Sequence, residues 1–162
     1  MRPAEVIAAF ARAMTALSGA ALAVMMAATC FDIASRSLLG WPLHGVVEIV
    51  EITVLLVAFL GLPEMFLKQE AIQVDIIDGF VSPQTLHGLK LFGLVVTLAF
   101  LALLTWTVLE PLADARRFGD VKPDLGVPLW WLYSVIVLCF AASVLTVATS
   151  MVAEIGAGKG RA

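Results

Sequence analysis

The sequence predicts an all-α membrane protein with four transmembrane helices and an amphipathic in-plane helix between spans two and three. Hydrophobic residues make up 61% of the 162 residues, charged residues only 14%, and the mean hydropathy is +1.00. A chain this short cannot bury so much apolar surface in a water-soluble core. Four apolar runs are each close to the roughly 20 residues that cross a bilayer as a helix. We therefore expect a single membrane domain over residues 1–162.

The first span is expected at about residues 13–31. A short head with Arg2 and Arg12 precedes it, and a basic head before an apolar run is also typical of a cleaved signal peptide. The length of the run and the residues before Cys30 favour a retained helix instead. The Gly40-Trp41-Pro42 sequence then breaks the chain, with Trp41 suited to the headgroup region.

The second span is expected at about residues 46–67, with acidic residues at its start. Asp32 and Arg36 precede it as a favourable acid-first i,i+4 pair, and Glu48 and Glu51 are three residues apart, hence on one side of a helix. Glu48 suits the positive end of the helix dipole. Glu51 lies one turn deeper, where an ionisable group needs a partner or a cavity. We predict a polar cluster of these four residues, with Arg36 as the partner of an α2 acid, and a greater importance for Glu51 than for Glu64.

The pattern of residues 65–81 predicts a helix that lies in the membrane interface. Ile72, Ile76 and Phe80 repeat at helical spacing and define its apolar face. Asp75 and Asp78 lie largely off that row and cannot enter hydrocarbon without a large cost. We predict that the apolar face contacts lipid or a partner subunit, and we include Asp75 among the polar residues that interact with a partner.

The third and fourth spans are expected at about residues 89–109 and 128–152. Ser82-Pro83 fits a helix start, and Glu110-Pro111 is expected to close the third span. A polar connection, residues 114–124, leads to Pro128 and the paired Trp130 and Trp131 at the membrane surface. Four spans place both termini on one side. The six basic residues on that side, against four on the other, favour cytoplasmic termini.

The chain carries few groups that could do chemistry. It shows no nucleophile beside a base, no phosphate-binding glycine loop and no metal-ligand spacing, so we expect no enzymatic activity, metal or cofactor. Cys30 and Cys139 are interpreted as small buried apolar residues. The alternative function is a membrane anchor of a respiratory or redox complex. Its haem would need two histidines, but His44 and His87 are predicted on opposite membrane faces, separated by ~30 Å of hydrocarbon.

In their order and spacing, several motifs resemble the DctQ-type small membrane subunit of tripartite ATP-independent periplasmic (TRAP) transporters. The resemblance covers about residues 13–152. In the family pattern a histidine commonly stands where this chain has Ala71. The motifs are Arg36, Gly40-Trp41-Pro42, Glu48, Glu51, Gly61, Lys68, Ile72-Gln73-Val74-Asp75, Ser82-Pro83 and Val127-Pro128-Leu129-Trp130.

The resemblance implies a non-catalytic scaffold, or stator, in the bacterial inner membrane. Its partner would be a large elevator-type membrane subunit that carries the substrate and sodium sites. A periplasmic binding protein would deliver an organic acid to the complex. The family's substrate-binding residues do not lie in this subunit, so the resemblance assigns no such residue here.

Overall fold

In the computed structural model of the protein, residues 3–40, 45–68 and 83–159 are described. These three segments are helical apart from short turns and one connection, and they contain no β-strand. Residues Val121 and Pro128 form an isolated bridge within that connection. The predicted all-α fold class is confirmed.

Five helices account for the described chain, and four stretches of them are long and apolar enough to cross a membrane. The second stretch, Val46–Leu67, joins two consecutive helices. The helices are α1 (Pro3–Leu39), α2 (Val46–Leu60), α3 (Leu62–Leu67), α4 (Pro83–Phe118) and α5 (Leu129–Lys159).

The break between α2 and α3 follows from two residues, Gly61 and Pro63. Proline has no backbone N–H, so it cannot donate to the carbonyl four residues earlier and its ring disfavours a continuous helix. Pro63 lies in the first turn of α3, where proline is tolerated, and Gly61 caps both helices. α3 ends at Leu67, and residues 69–82 lie outside the described chain. The in-plane helix expected at 65–81, with Ile72, Asp75, Ile76 and Phe80, therefore stays a prediction.

The helix of the third span does not end at Pro111, in contrast to the sequence-based expectation. α4 runs through this proline to Phe118. A proline inside a helix removes one hydrogen bond and introduces a steric conflict, and contacts with a neighbouring helix can offset that cost. α4 packs against α5, and Ala115, one turn past the proline, is buried.

The helices form an open row in which α5 occupies the middle. α1 packs along α2 and α3 and also contacts α5 directly, α2 and α3 pack against α5, and α5 packs along α4. Within the described segments, α1 and α4 do not contact each other. Large apolar side chains on these two outer helices are correspondingly exposed; they include Leu17, Met26, Phe31, Phe92, Phe100 and Trp106.

Two clusters of buried residues hold the row together. Met14 of α1, Leu60 of α2 and Cys139 of α5 form the first. The second joins α4 and α5 through Leu101, Ile136, Phe140 and Val147. Phe59 bridges both clusters, and its ring meets that of Phe140 edge to face, with centroids 5.3 Å apart. Cys139 is fully buried as expected, whereas Cys30 is exposed, because it lies on a face of α1 that no described helix covers.

Candidate functional site

The connection between α4 and α5 is a compact turn at what we call the loop end of the molecule, namely residues 119–128 and the start of α2. The backbone N–H of Lys122 donates to Val127 O (2.9 Å), and that of Gly126 donates to Lys122 O (2.8 Å). Gly119 and Gly126 have positive φ angles of 68° and 64°, a conformation that glycine adopts at little cost. The turn is therefore a defined surface element of the protein.

Glu48 ties this turn to α2. Its two carboxylate oxygens accept hydrogen bonds from the backbone N–H groups of Asp124 (3.1 Å) and Leu125 (2.8 Å). The residue is 7% exposed. Gly45, with φ 82°, brings the start of α2 so close that an added Cβ would lie 3.1 Å from Leu125 Cδ2. A buried carboxylate with two N–H donors is well satisfied, and Glu48 has a structural role between elements 76 residues apart.

Glu51 pairs with the same turn through an ion pair. Its Oε1 lies 2.6 Å from Lys122 Nζ, and its side chain is 60% exposed. The Lys122 side chain is 18% exposed, but solvent reaches the Glu51 carboxylate and screens the pair, so its contribution to stability is small. The partner that Glu51 was expected to need is therefore present, but it is Lys122 from the α4–α5 turn and not Arg36.

Arg36 lies apart from the two acids of α2. It pairs with Asp32 in its own helix at 3.2 Å, as the i,i+4 spacing indicates. The Ser18 hydroxyl donates to Val57 O (3.0 Å) and sets the antiparallel register of α1 and α2, which places Glu48 level with about residue 27. Arg36 is about nine residues further along α1, or ~14 Å at 1.5 Å per residue. Of the predicted cluster, Asp32 joins Arg36, Glu48 and Glu51 join the turn, and Asp75 lies outside the described residues.

Arg116 and Trp130 form a further contact at the loop end. The Arg116 guanidinium lies 5.4 Å from the centroid of the Trp130 ring, within the range of a cation–π interaction. The sequence analysis placed Trp130 at the membrane surface, but it did not identify Arg116 as the partner of this ring.

The opposite end of α1 carries a polar contact that the sequence analysis did not predict. Glu64 of α3 is 8% exposed and pairs with Lys68 at 2.9 Å. Thr15 and Arg12 of α1 face the same carboxylate, and Thr15 Oγ1 is buried with no hydrogen bond of ordinary geometry. Glu64 is therefore more buried than Glu51, whereas the greater importance expected for Glu51 in complex assembly stays a prediction. The sequence could have indicated the Glu64–Lys68 pair, because the acid precedes the base by four residues, as in Asp32–Arg36.

Some of the described charged residues join different elements, and others pair within one helix. Within the described segments, no group of three or more histidine, cysteine, aspartate or glutamate side chains could hold a metal ion. His44 lies outside those segments, and His87 lies in the first turns of α4. The contacts of Glu48 and Glu51 with the α4–α5 turn join different elements, whereas most hydroxyl groups inside the spans donate to a carbonyl of their own helix.

A comparison with protein-family sequence models matches residues 25–156 to the family described as tripartite ATP-independent periplasmic transporters, DctQ component. The match covers most of the chain, and it includes three of the four spans completely. A search of curated proteins found no significant match.

Proposed function

We propose, since this chain belongs to the DctQ component family of tripartite ATP-independent periplasmic transporters, that it serves as the scaffold of its transporter. As a small, multi-pass component of such a transporter, it would remain fixed in the inner membrane while a large subunit moves substrate. The proposed cargo is an organic acid taken up with sodium and delivered by a periplasmic binding protein. These finer features rest on the family resemblance.

The open row of helices is the observation that supports a scaffold role best. α1 and α4 lie at the two edges of the row and present long apolar faces. Of the residues in the described spans, those buried at mid-depth are mainly apolar or small, as in the cluster of Met14, Leu60 and Cys139. A fixed subunit needs broad lateral contact surfaces and no substrate path of its own, and this arrangement supplies such surfaces.

The proposed orientation places both termini in the cytoplasm and the loop end in the periplasm. There the turn at residues 119–128 would be accessible to the binding protein. Glu48 and Lys122 would hold that turn against α2 while the large subunit moves.

Cysteine labelling from outside the cell tests this orientation. In a chain without native cysteines, Asp120→Cys should react with a membrane-impermeant maleimide, because Asp120 is exposed in the turn. Gly158→Cys, near the end of α5, should react only after the membrane is permeabilised. The reverse pattern of labelling would overturn the proposed topology.

The predicted in-plane helix is proposed to brace the scaffold against the large subunit, and a substitution there tests the proposed function. Ile76→Asp puts a charge on the apolar row, where burial of an ionisable group is costly. We expect it to reduce co-purification of the large subunit and uptake several-fold, while the chain still inserts. The tagged wild-type chain should co-purify with a much larger membrane protein in mild detergent.

The matched control for this experiment is Ala71→Asp. At about 100° per residue, position 71 lies about 140° around the predicted helix from Ile76, and the change also introduces one carboxylate. Unchanged co-purification and uptake with Ile76→Asp would refute the bracing role. Failure of the wild-type chain to retain any larger membrane protein would refute the scaffold function itself.

A further inference from the structure

An apolar groove of about 460 Å³ runs along one face of α5. Leu138, Ala141 and Leu145 line its length, Leu112 of α4 lies near one end, and Phe10 of α1 lies near the other. The three α5 side chains are exposed. Within the described chain, the row of helices therefore leaves this face of α5 uncovered between its neighbours α4 and α1.

One end of the groove carries a positive charge. Among the residues that the structure describes, Arg116 is the one charged side chain that lines it, and its guanidinium lies 5.4 Å from the centroid of the Trp130 ring. A stacked guanidinium still has N–H donors at its edge that can bind an oxygen ligand. Arg116 is exposed, and no carboxylate of the described residues lies within ion-pair distance of it. It lies at the headgroup depth that Trp130 indicates.

The groove has the length of one leaflet of a bilayer. Ser134, which also lines it, is eleven residues before Leu145, a rise of ~16 Å along a helix. The hydrocarbon core is ~30 Å thick, so one leaflet is about half of that. A second groove of about 430 Å³ between α4 and α5 shares Ala141 and Leu145 with the first. The apolar face thus continues toward Ala102 and Trp106, with room for a second chain.

We propose that this groove is a phospholipid site in the leaflet at the loop end. One acyl chain lies along Leu138, Ala141 and Leu145, and Arg116 binds the lipid phosphate. An anionic phosphate complements the one charge of the groove, and the acyl chain complements its apolar wall. The bound lipid then fills the open side of the α4–α5 pair. This assignment rests on the groove alone and not on the proposed transport function.

Retention of lipid by the purified chain tests the proposal. The protein is placed in nanodiscs of phosphatidylethanolamine and phosphatidylglycerol, extracted into mild detergent and examined by native mass spectrometry. We expect the wild-type chain to retain one phospholipid, and Arg116→Gln to lower the retained fraction about tenfold through loss of the charge-assisted bonds. Arg117→Gln is the matched control, since Arg117 lies outside the groove and contacts the Phe118 ring at 5.9 Å.

Ala141→Trp tests the acyl-chain part of the site with Arg116 intact. Ala141 is exposed, so the larger side chain can enter the groove without displacing the protein core, and the helical circular dichroism signal should not change. We expect this variant also to lose the bound phospholipid. Equal lipid retention by Arg116→Gln and Arg117→Gln would overturn the proposal. So would a cross-link from Leu138→Cys to a helix of another protein subunit, because the groove would then hold that helix.

Discussion

Glu48→Ala should lower the free energy of unfolding by about 2–3 kcal/mol, since hydrogen bonds to a charged group are worth ~1.5–3 kcal/mol each. The substitution removes both bonds to the turn, from the N–H groups of Asp124 and Leu125. These N–H groups belong to exposed residues, so water can replace part of what is lost, which keeps the expected cost below the sum for two such bonds. The measurement is reversible unfolding of the purified chain in bicelles.

Two neighbouring variants make the Glu48 result specific. Glu48→Gln keeps one acceptor oxygen of the same geometry, so we expect a smaller loss. Glu51→Ala removes the ion pair of Lys122 with the largely exposed Glu51 carboxylate and should cost less than ~1 kcal/mol, because solvent screens that carboxylate. If Glu51→Ala destabilised the protein as much as Glu48→Ala, the turn would be held by the ion pair and the role assigned to Glu48 would be wrong.

Cys139→Leu should destabilise the contact of α1, α2 and α5 by ~1–3 kcal/mol, the usual cost of overpacking. Cys139 is 0% exposed and packs with Met14, Leu60 and Ala142. Apolar burial gives little driving force between helices in lipid, so close packing of small residues is what holds them together. A larger side chain at this position must push the helices apart. Unfolding in bicelles measures the loss.

Cys30→Leu is the control for this effect, because it makes the same change on an exposed face of α1. Lipid accepts the larger apolar side chain, and we expect stability close to that of the wild type. The same pair of cysteines gives a second readout: a membrane-permeant maleimide should label Cys30 in the folded protein and leave Cys139 unlabelled. Rapid labelling of Cys139, or equal stability of the two leucine variants, would contradict the packing described for α5.

Several features follow from the sequence because their causes are local. The apolar runs require lipid, so four spanning helices could be predicted from length and composition. The Asp32–Arg36 pair could be predicted because both partners lie on one helix, one turn apart. The family could be recognised because its motifs are distributed along the chain in a characteristic order, and the match over residues 25–156 confirms it.

Other features depend on the register and order of the helices, which composition does not determine. Glu51 pairs with Lys122 and not with Arg36, because the register marked by the Ser18–Val57 contact places Arg36 about twelve residues, or ~18 Å, along α1 from the level of Glu51. α4 continues past Pro111 because packing on α5 offsets the local cost of a proline. The partners of Glu48 are 76 and 77 residues away in the chain. Such distant groups meet only when the helices pack. The free energy of the buried Glu48 carboxylate depends on which donors lie within ~3 Å of it, and only the tertiary structure determines those donors.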